Sequence, residues 1–310
     1  MSALLILVTC RQMQVELPRH RDRIEQLGYE VLAPDLEGRQ QFTAAELLEY
    51  SPRLVGIIAG DDDLSGAFFD GSPELKTVIR WGIGMDSVDH DAAQRHGVTV
   101  RNTPGVFGHE VADAAFGYIL NLARGQITVD AAVRRGEWPK HEGITLAGTQ
   151  LGVVGFGAIG REIARRGAGF GMDLAAFDPY VDTAPAGVSM TGLDELLATC
   201  RFIVLACPLT PETFHLINGD KLALARPDSY LINVARGPVV LEADLIDALK
   251  SGRIAGAALD VFEVEPLPLD SELRTLPNVI LGAHNGSNTR EGVARASRTA
   301  VDFLLEELAK

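Results

Sequence analysis

The sequence predicts an α/β protein built from two doubly wound parallel-sheet units. Three observations predict it. The chain has 310 residues, enough for about two domains. Short apolar runs alternate with amphipathic helical stretches almost throughout, the βαβ rhythm of a parallel sheet. A glycine-spaced turn, Gly155-x-Gly157-x-x-Gly160, stands where one apolar run gives way to a helical pattern.

In chain order, the first strand candidates are "ALLILV", "YEVLAP", "LVGIIAG", "KTVIRW" and "VTVRN", with helical segments expected at 18–27, 43–50 and 88–96. A longer helix, "GHEVADAAFGYILNLAR", is expected over 108–124 and a second over 126–136, closed by Trp138-Pro139. A new strand series follows: "TQLGVVGF", "MDLAAFDP", "RFIVLACP", "SYLINVA", "IAGAALDVF" and "NVILGAH". The last segment, 289–309, has helical spacing and needs a partner surface, expected on the first unit.

Composition narrows the function classes. A net charge of −14 and a pI near 4.9 argue against a nucleic-acid partner, which needs a basic footprint. No apolar run approaches the roughly 18 residues of a membrane span, and no polybasic segment suggests a membrane surface. "MSALLILVTCRQMQ" lacks the leading positive charges and the cleavage site of a signal peptide, so it reads as a first buried strand. Cys10, Cys200 and Cys207 are odd in number and fit no zinc spacing; they read as reduced thiols of a cytoplasmic protein.

The glycine turn carries the first chemistry. Glycines between a strand and a helix let the backbone approach a pyrophosphate, and the N–H groups at the helix start bind that anion. Asp178 ends the next strand, 23 residues beyond Gly155. A carboxylate there accepts hydrogen bonds from a ribose diol and repels a 2′-phosphate. No arginine follows in 179–187, so NAD is favoured over NADP.

Three further strand ends carry charge. Arg236 follows "SYLINVA", Asp260, Glu263 and Glu265 follow "IAGAAL", and His284 follows "NVILGA". Ligands of open α/β sheets bind outside the carboxyl ends of the strands, so these groups are candidates to line one crevice with the dinucleotide. An imidazole moves protons near neutral pH, a carboxylate beside it sets its tautomer, and a guanidinium is a planar fork for a substrate carboxylate.

On these residues the chain resembles the D-isomer-specific 2-hydroxyacid dehydrogenases, in particular the D-3-phosphoglycerate dehydrogenase-like branch. "WGIGMDSVDHDAAQRHGVTVRNTPG", "LGVVGFGAIGREIA", "ACPLTPET", "LINVARGPVV" and "ALDVFEVEP" are similar to the family's motifs over nearly the whole length. The resemblance implies a flavodoxin-like substrate domain, 1–100 plus 285–310, and an inserted Rossmann NAD-binding domain, 101–284, with a homodimerisation arm at 108–140. It implies that Arg236 binds the substrate carboxylate, His284 is the acid–base group and Glu265 orients it. It places Gly155, Gly157, Ala158, Ile159, Gly160, Asp178, Cys207, Pro208, Thr213, Val234, Ala235, Asp260 and Gly286 along the dinucleotide. Backbone N–H groups in the Gly82-Ile83-Gly84 turn would hold the substrate carboxylate. The implied reaction is NAD-dependent hydride transfer at C2 of a small 2-hydroxy or 2-keto acid.

The chain departs from the family wording at Ala283, where proline is usual, at Phe107, and at Asp113. Where phosphoglycerate dehydrogenases tend to carry an arginine after the third strand, it reads "AGDDDL", and acid there disfavours a phosphorylated substrate. No regulatory domain is expected after the last helix. Phosphite oxidation and a dinucleotide-sensing corepressor are the alternatives; formate oxidation is disfavoured because it pairs the histidine with an amide. Other side chains admit two readings. Asp61–Asp63 could ligate a metal or form a solvated turn or cap, the commoner fate of consecutive acids. His109 and Asp113 could be an acid–base pair or merely share a helix face. Cys207 could be a nucleophile or an inert buried thiol, as its strand-end position favours.

Overall fold

Every strand pairing is parallel in the computed structural model, which describes residues 3–310, and the twelve strands found there form two separate sheets. The first comprises β1 (Leu5–Val8), β2 (Glu30–Leu32), β3 (Leu54–Ala59), β4 (Thr77–Arg80) and β5 (Thr99–Asn102), in the flavodoxin-like order β2-β1-β3-β4-β5. The second comprises β6 (Gln150–Val154), β7 (Asp173–Phe177), β8 (Val188–Met190), β9 (Phe202–Leu205), β10 (Tyr230–Asn233), β11 (Gly256–Leu259) and β12 (Val279–Leu281). Its order, β12-β11-β10-β9-β6-β7-β8, is that of a Rossmann sheet with its reversal between β6 and β9. The chain divides accordingly into one unit ending at Phe107 and completed by Asn288–Lys310, and a second, Gly108–Ser287, inserted in it.

Both sheets are covered on two faces, which is why their central strands read as unbroken apolar runs. All six residues of β3 are buried, as are all four of β9 and β11. Each fully buried leucine, isoleucine or valine there contributes roughly 1.5–3 kcal/mol. The terminal helix, Arg290–Leu308, packs on β3 and β4, and Trp81 donates to Ser297 Oγ at 3.0 Å beneath it. Gly56 permits that approach, since a Cβ there would lie 2.9 Å from Ile6 Cδ1 and 3.1 Å from Leu304 Cδ1.

Three local features differ from the sequence expectations. The segment 18–27 is not one helix: Leu17–Arg19 is a 3₁₀ turn with Pro18 in its first turn, and a short helix, Arg21–Glu25, begins only after His20, whose backbone leaves helical geometry at φ −121°. Strand β8 was not anticipated; it is a three-residue edge strand, Val-Ser-Met, whose shape is imposed by pairing with β7. The acidic run is a solvated turn only at Asp63. Asp62 is fully buried and accepts from Phe42 N at 2.8 Å, Gly60 N at 2.9 Å and the Thr9 hydroxyl, and burial raises its pKa. Asp61 pairs with the buried Arg80, and Asp63 accepts from Ser65 N at 3.2 Å, so the run does not act as one ligand set.

Candidate active site

The carboxyl edge of the second sheet gathers most of the singled-out residues. The strand β6 ends at Val154, and Gly155 turns the chain with φ +92°. A side chain there would meet the Cys207 backbone N at 2.5 Å, because the segments leaving the parallel neighbours β6 and β9 run close together at this point. Gly160, in the first turn of the helix Ala158–Gly169, would place a Cβ 2.0 Å from Gly155 O. Gly157 is the opposite case: no protein atom lies within 4 Å of where its side chain would start. Two glycines thus close the turn, and one opens the helix start, where unpaired N–H groups favour an anion. Asp178, at the end of β7, is held in place by Phe156 N, 2.7 Å from Oδ2, and Tyr180 N, 2.9 Å from Oδ1. This turn and carboxylate fit a dinucleotide.

Arg236, Asp260 and His284 follow β10, β11 and β12, three neighbouring strands of one parallel ladder. The Arg236 loop is shaped by Asn233, whose Oδ1 accepts from Ala235 N at 3.0 Å and whose Nδ2 donates to Arg236 O at 2.9 Å. Asp260 is buried and organises the histidine loop: its carbonyl accepts from His284 N at 2.6 Å, Oδ1 from Asn285 N at 3.2 Å, and Oδ2 from Gly286 N at 2.8 Å. The Tyr118 hydroxyl donates to the same Oδ1 at 2.8 Å, and burial, with the carboxylate beside it, raises the phenol's pKa. So pinned, His284 adopts φ +51°, a left-handed backbone uncommon for a histidine and found disproportionately at functional sites.

His284 Nδ1 lies 2.7 Å from Glu265 Oε2, while Glu265 Oε1 accepts from Phe262 N at 2.9 Å. An ionised carboxylate only accepts, so in this pair Nδ1 carries the proton. The second glutamate of the loop does something else: Glu263 Oε1 lies 2.7 Å from His215 Nε2. Two glutamates two residues apart therefore serve two different histidines.

The other candidates fall as follows. Cys207 is buried and its thiol is pushed up to about 11 by that burial, which leaves it a poor nucleophile. Pro208 and Thr213 shape the loop after β9, Thr213 Oγ1 donating to Pro208 O at 2.7 Å and accepting from Thr210 N at 2.8 Å. Val234 and Ala235 are buried. Ala158 and Ile159 open the helix after the glycine turn. Gly286 lies so near Asp260 that a Cβ would come within 2.9 Å of Oδ2. His109 and Asp113 do not pair; each faces the helix Ala158–Gly169, through Glu162 at 2.9 Å and Arg166 at 2.7 Å. In the first unit, Gly82 has φ +136° and the Gly82-Ile83-Gly84 turn is tied down by Thr103, which accepts from Gly82 N at 2.9 Å, and by Asn102, which donates to Ile83 O at 2.8 Å. Sequence reasoning passed over Asn233, Tyr118 and His215. Asn233 had a signal, an asparagine at a strand end able to bond its own backbone two residues on; the other two act across long stretches of chain.

Residues 116–286 match the family profile "D-isomer specific 2-hydroxyacid dehydrogenase, NAD binding domain". The glyoxylate reductase of Thermococcus litoralis is 41% identical over 94% of this chain and 93% of its own length. The chain belongs to the D-isomer-specific 2-hydroxyacid dehydrogenase family. It is thus a nicotinamide-dependent oxidoreductase acting on the CH–OH group of donors. The D-3-phosphoglycerate dehydrogenase of Methanocaldococcus jannaschii is 36% identical over 94% of this chain but only 56% of that longer protein. Among solved structures, the NADPH-dependent glyoxylate/hydroxypyruvate reductase of Sinorhizobium meliloti, in complex with NADP and malonate, superposes with a TM-score of 0.85 at 31% identity, covering 100% of this chain and 95% of that one. The family's members therefore differ in both substrate and nicotinamide cofactor. Among the described residues of this dehydrogenase, no helix is long and apolar enough to cross a membrane.

Proposed function

We propose that this dehydrogenase is an NADH-dependent reductase of small, unphosphorylated 2-keto acids, run in reverse as a D-2-hydroxyacid dehydrogenase. The observation that carries the reading is the 2.7 Å pair of His284 Nδ1 and Glu265 Oε2 on a strand tip next but one to that of Arg236. A nicotinamide held at the glycine turn and Asp178 would supply the hydride for C2. Arg236 holds the substrate carboxylate in its planar fork and polarises the carbonyl. His284 Nε2 gives a proton to the oxygen as negative charge grows there, and Glu265 stabilises the imidazolium that must exist beforehand. Oxidation runs the same proton the other way.

Two observations support the finer choices. Asp178 is fixed by two backbone N–H groups where a ribose diol would bind, which favours NADH over NADPH. At the carboxyl edge of the first sheet Arg80 is already engaged by Asp61, so this arginine is neutralised as a phosphate partner. Glyoxylate and hydroxypyruvate, the substrates named for its relatives, are the first compounds to test. A panel of glyoxylate, hydroxypyruvate, pyruvate and phosphohydroxypyruvate, each with NADH and NADPH, is expected to give the highest kcat/KM for an unphosphorylated acid with NADH. A preference for phosphohydroxypyruvate overturns the substrate assignment, and no turnover of any keto acid overturns the 2-keto acid reductase reading. We also assign a homodimer through 108–140, where Ile127, Val133 and Trp138 are 54%, 42% and 77% exposed. Sedimentation equilibrium giving the 33.3 kDa monomer mass would remove that assignment.

A further inference from the structure

His215 touches both loops that carry the proposed site. It lies in the segment after β9 and has φ +51°, a backbone conformation that residues other than glycine rarely take. Its backbone N donates to Pro238 O at 2.8 Å, and the chain then runs beside the Arg236 loop, Ile217 N donating to Val239 O at 3.0 Å and Leu241 N to Ile217 O at 2.9 Å. Its ring reaches the other way, Nε2 to Glu263 Oε1 at 2.7 Å, with Phe214 stacked against it at 3.9 Å between centroids. Glu263 is two residues from Glu265 on the same loop, and its backbone N donates to Glu242 Oε2 at 3.3 Å. The two loops also meet backbone to backbone at Gly237, where a Cβ would fall 1.8 Å from the Phe262 carbonyl and 2.4 Å from Glu263 N. A position so tight has no slack, and small displacements of one loop carry over to the other.

We infer that His215 and Glu263 form a positioning pair that holds the Glu265 loop against the Arg236 loop, so that Glu265 meets His284 in register with the arginine. The inference rests on the functional reading above, because it acts through Glu265. Neither residue is a catalytic group. The pair removes a freedom that the loop Asp260–Glu265 otherwise has between its anchor at Asp260 and its tip, and it gives the second carboxylate of that loop a partner other than His284. A misplacement of about 1 Å at a reacting group can cost on the order of 10² in rate. A loop still anchored at Asp260 and Gly237 is displaced by less, so the expected loss is about tenfold.

The test is a double-mutant cycle on kcat, measured with NADH and the best keto acid of the panel, alongside NADH affinity by fluorescence. Glu263→Ala is expected to lower kcat about tenfold and leave the NADH dissociation constant within about threefold. Glu263→Gln still accepts a hydrogen bond from the ring and is expected to recover most of the rate. In a Glu265→Ala background the Glu263→Ala change is expected to cost nothing more, because the group it positions is gone. If Glu263→Ala does not yield folded protein, His215→Asn takes its place in the cycle, asparagine being tolerant of the left-handed backbone. An equal loss in both backgrounds means a general structural role and overturns the inference. So does a normal kcat for Glu263→Ala when Glu265→Ala is impaired. A normal kcat for Glu265→Ala overturns the assignment of Glu265 itself, and the positioning role falls with it.

Discussion

Replacing Glu265 by glutamine keeps the side chain's shape and removes its charge. The local geometry dictates how the amide must sit. One oxygen of Glu265 accepts from Phe262 N at 2.9 Å, and the other faces His284 Nδ1 at 2.7 Å. A glutamine satisfies Phe262 N only by turning its single oxygen there, which points its NH₂ at Nδ1. An imidazolium would then face a donor with a donor. Two unit charges about 4 Å apart attract by about 4 kcal/mol at an effective dielectric near 20. The His284 and Glu265 side chains are 32% and 27% exposed, so solvent screens part of this. What is lost is a charge-assisted hydrogen bond worth roughly 1.5–3 kcal/mol. At about 1.4 kcal/mol per tenfold, kcat is expected to fall about 10- to 100-fold. The assay is the steady-state loss of NADH absorbance at saturating keto acid, with circular dichroism confirming an unchanged fold. A variant whose kcat stays within about twofold of the parent refutes the argument that Glu265 stabilises the charged ring.

Other perturbations test other parts of the reasoning. Asp178→Ser removes the carboxylate that favours a ribose diol; kcat/KM with NADH is expected to drop and the NADH-to-NADPH ratio to fall at least about tenfold, and an unaltered ratio removes Asp178 from cofactor choice. Gly160→Ala would put a methyl 2.0 Å from Gly155 O, a backbone atom that cannot step aside, so NADH binding is expected to weaken at least about tenfold in any folded protein obtained; wild-type affinity contradicts the close-approach argument. Glu162 accepts from Arg165, Arg166 and His109, and these partners, Arg165 first, hold its pKa at about 2 against an ordinary 4.5. A depressed carboxylate stabilises the fold above the unfolded value and ceases to do so as pH falls through the folded one. The thermal midpoint is therefore expected to decline between about pH 4.5 and 2, less steeply in Glu162→Gln; equal slopes would show the network to be energetically idle.

Much of this protein was legible from residue order. Strand periodicity and length marked eleven of the twelve strands, because buried parallel strands must be short and apolar. The helix 108–124 shows in its apolar spacing and is observed as Gly108–Arg124. The glycine turn could be read because each glycine answers a local need: a positive φ, a close backbone approach, an open helix start. Edge strand β8 was invisible, since Val-Ser-Met has little strand character until β7 offers it partners.

Composition and order alone determined two parallel α/β units, a dinucleotide turn and a set of ionisable groups at strand ends. Only the tertiary structure decided which groups meet. Asp61, Asp62 and Asp63 are three identical letters with three fates: one paired with a buried arginine, one buried under backbone donors, one at a surface turn. Glu263 and Glu265 share a loop, yet one faces His215, 48 residues away, and the other His284, 19 residues away. Spacing along a chain governs hydrogen bonds within a helix or a turn. Pairing over such separations depends on where distant loops come to rest, and that is set by the packing of the whole sheet.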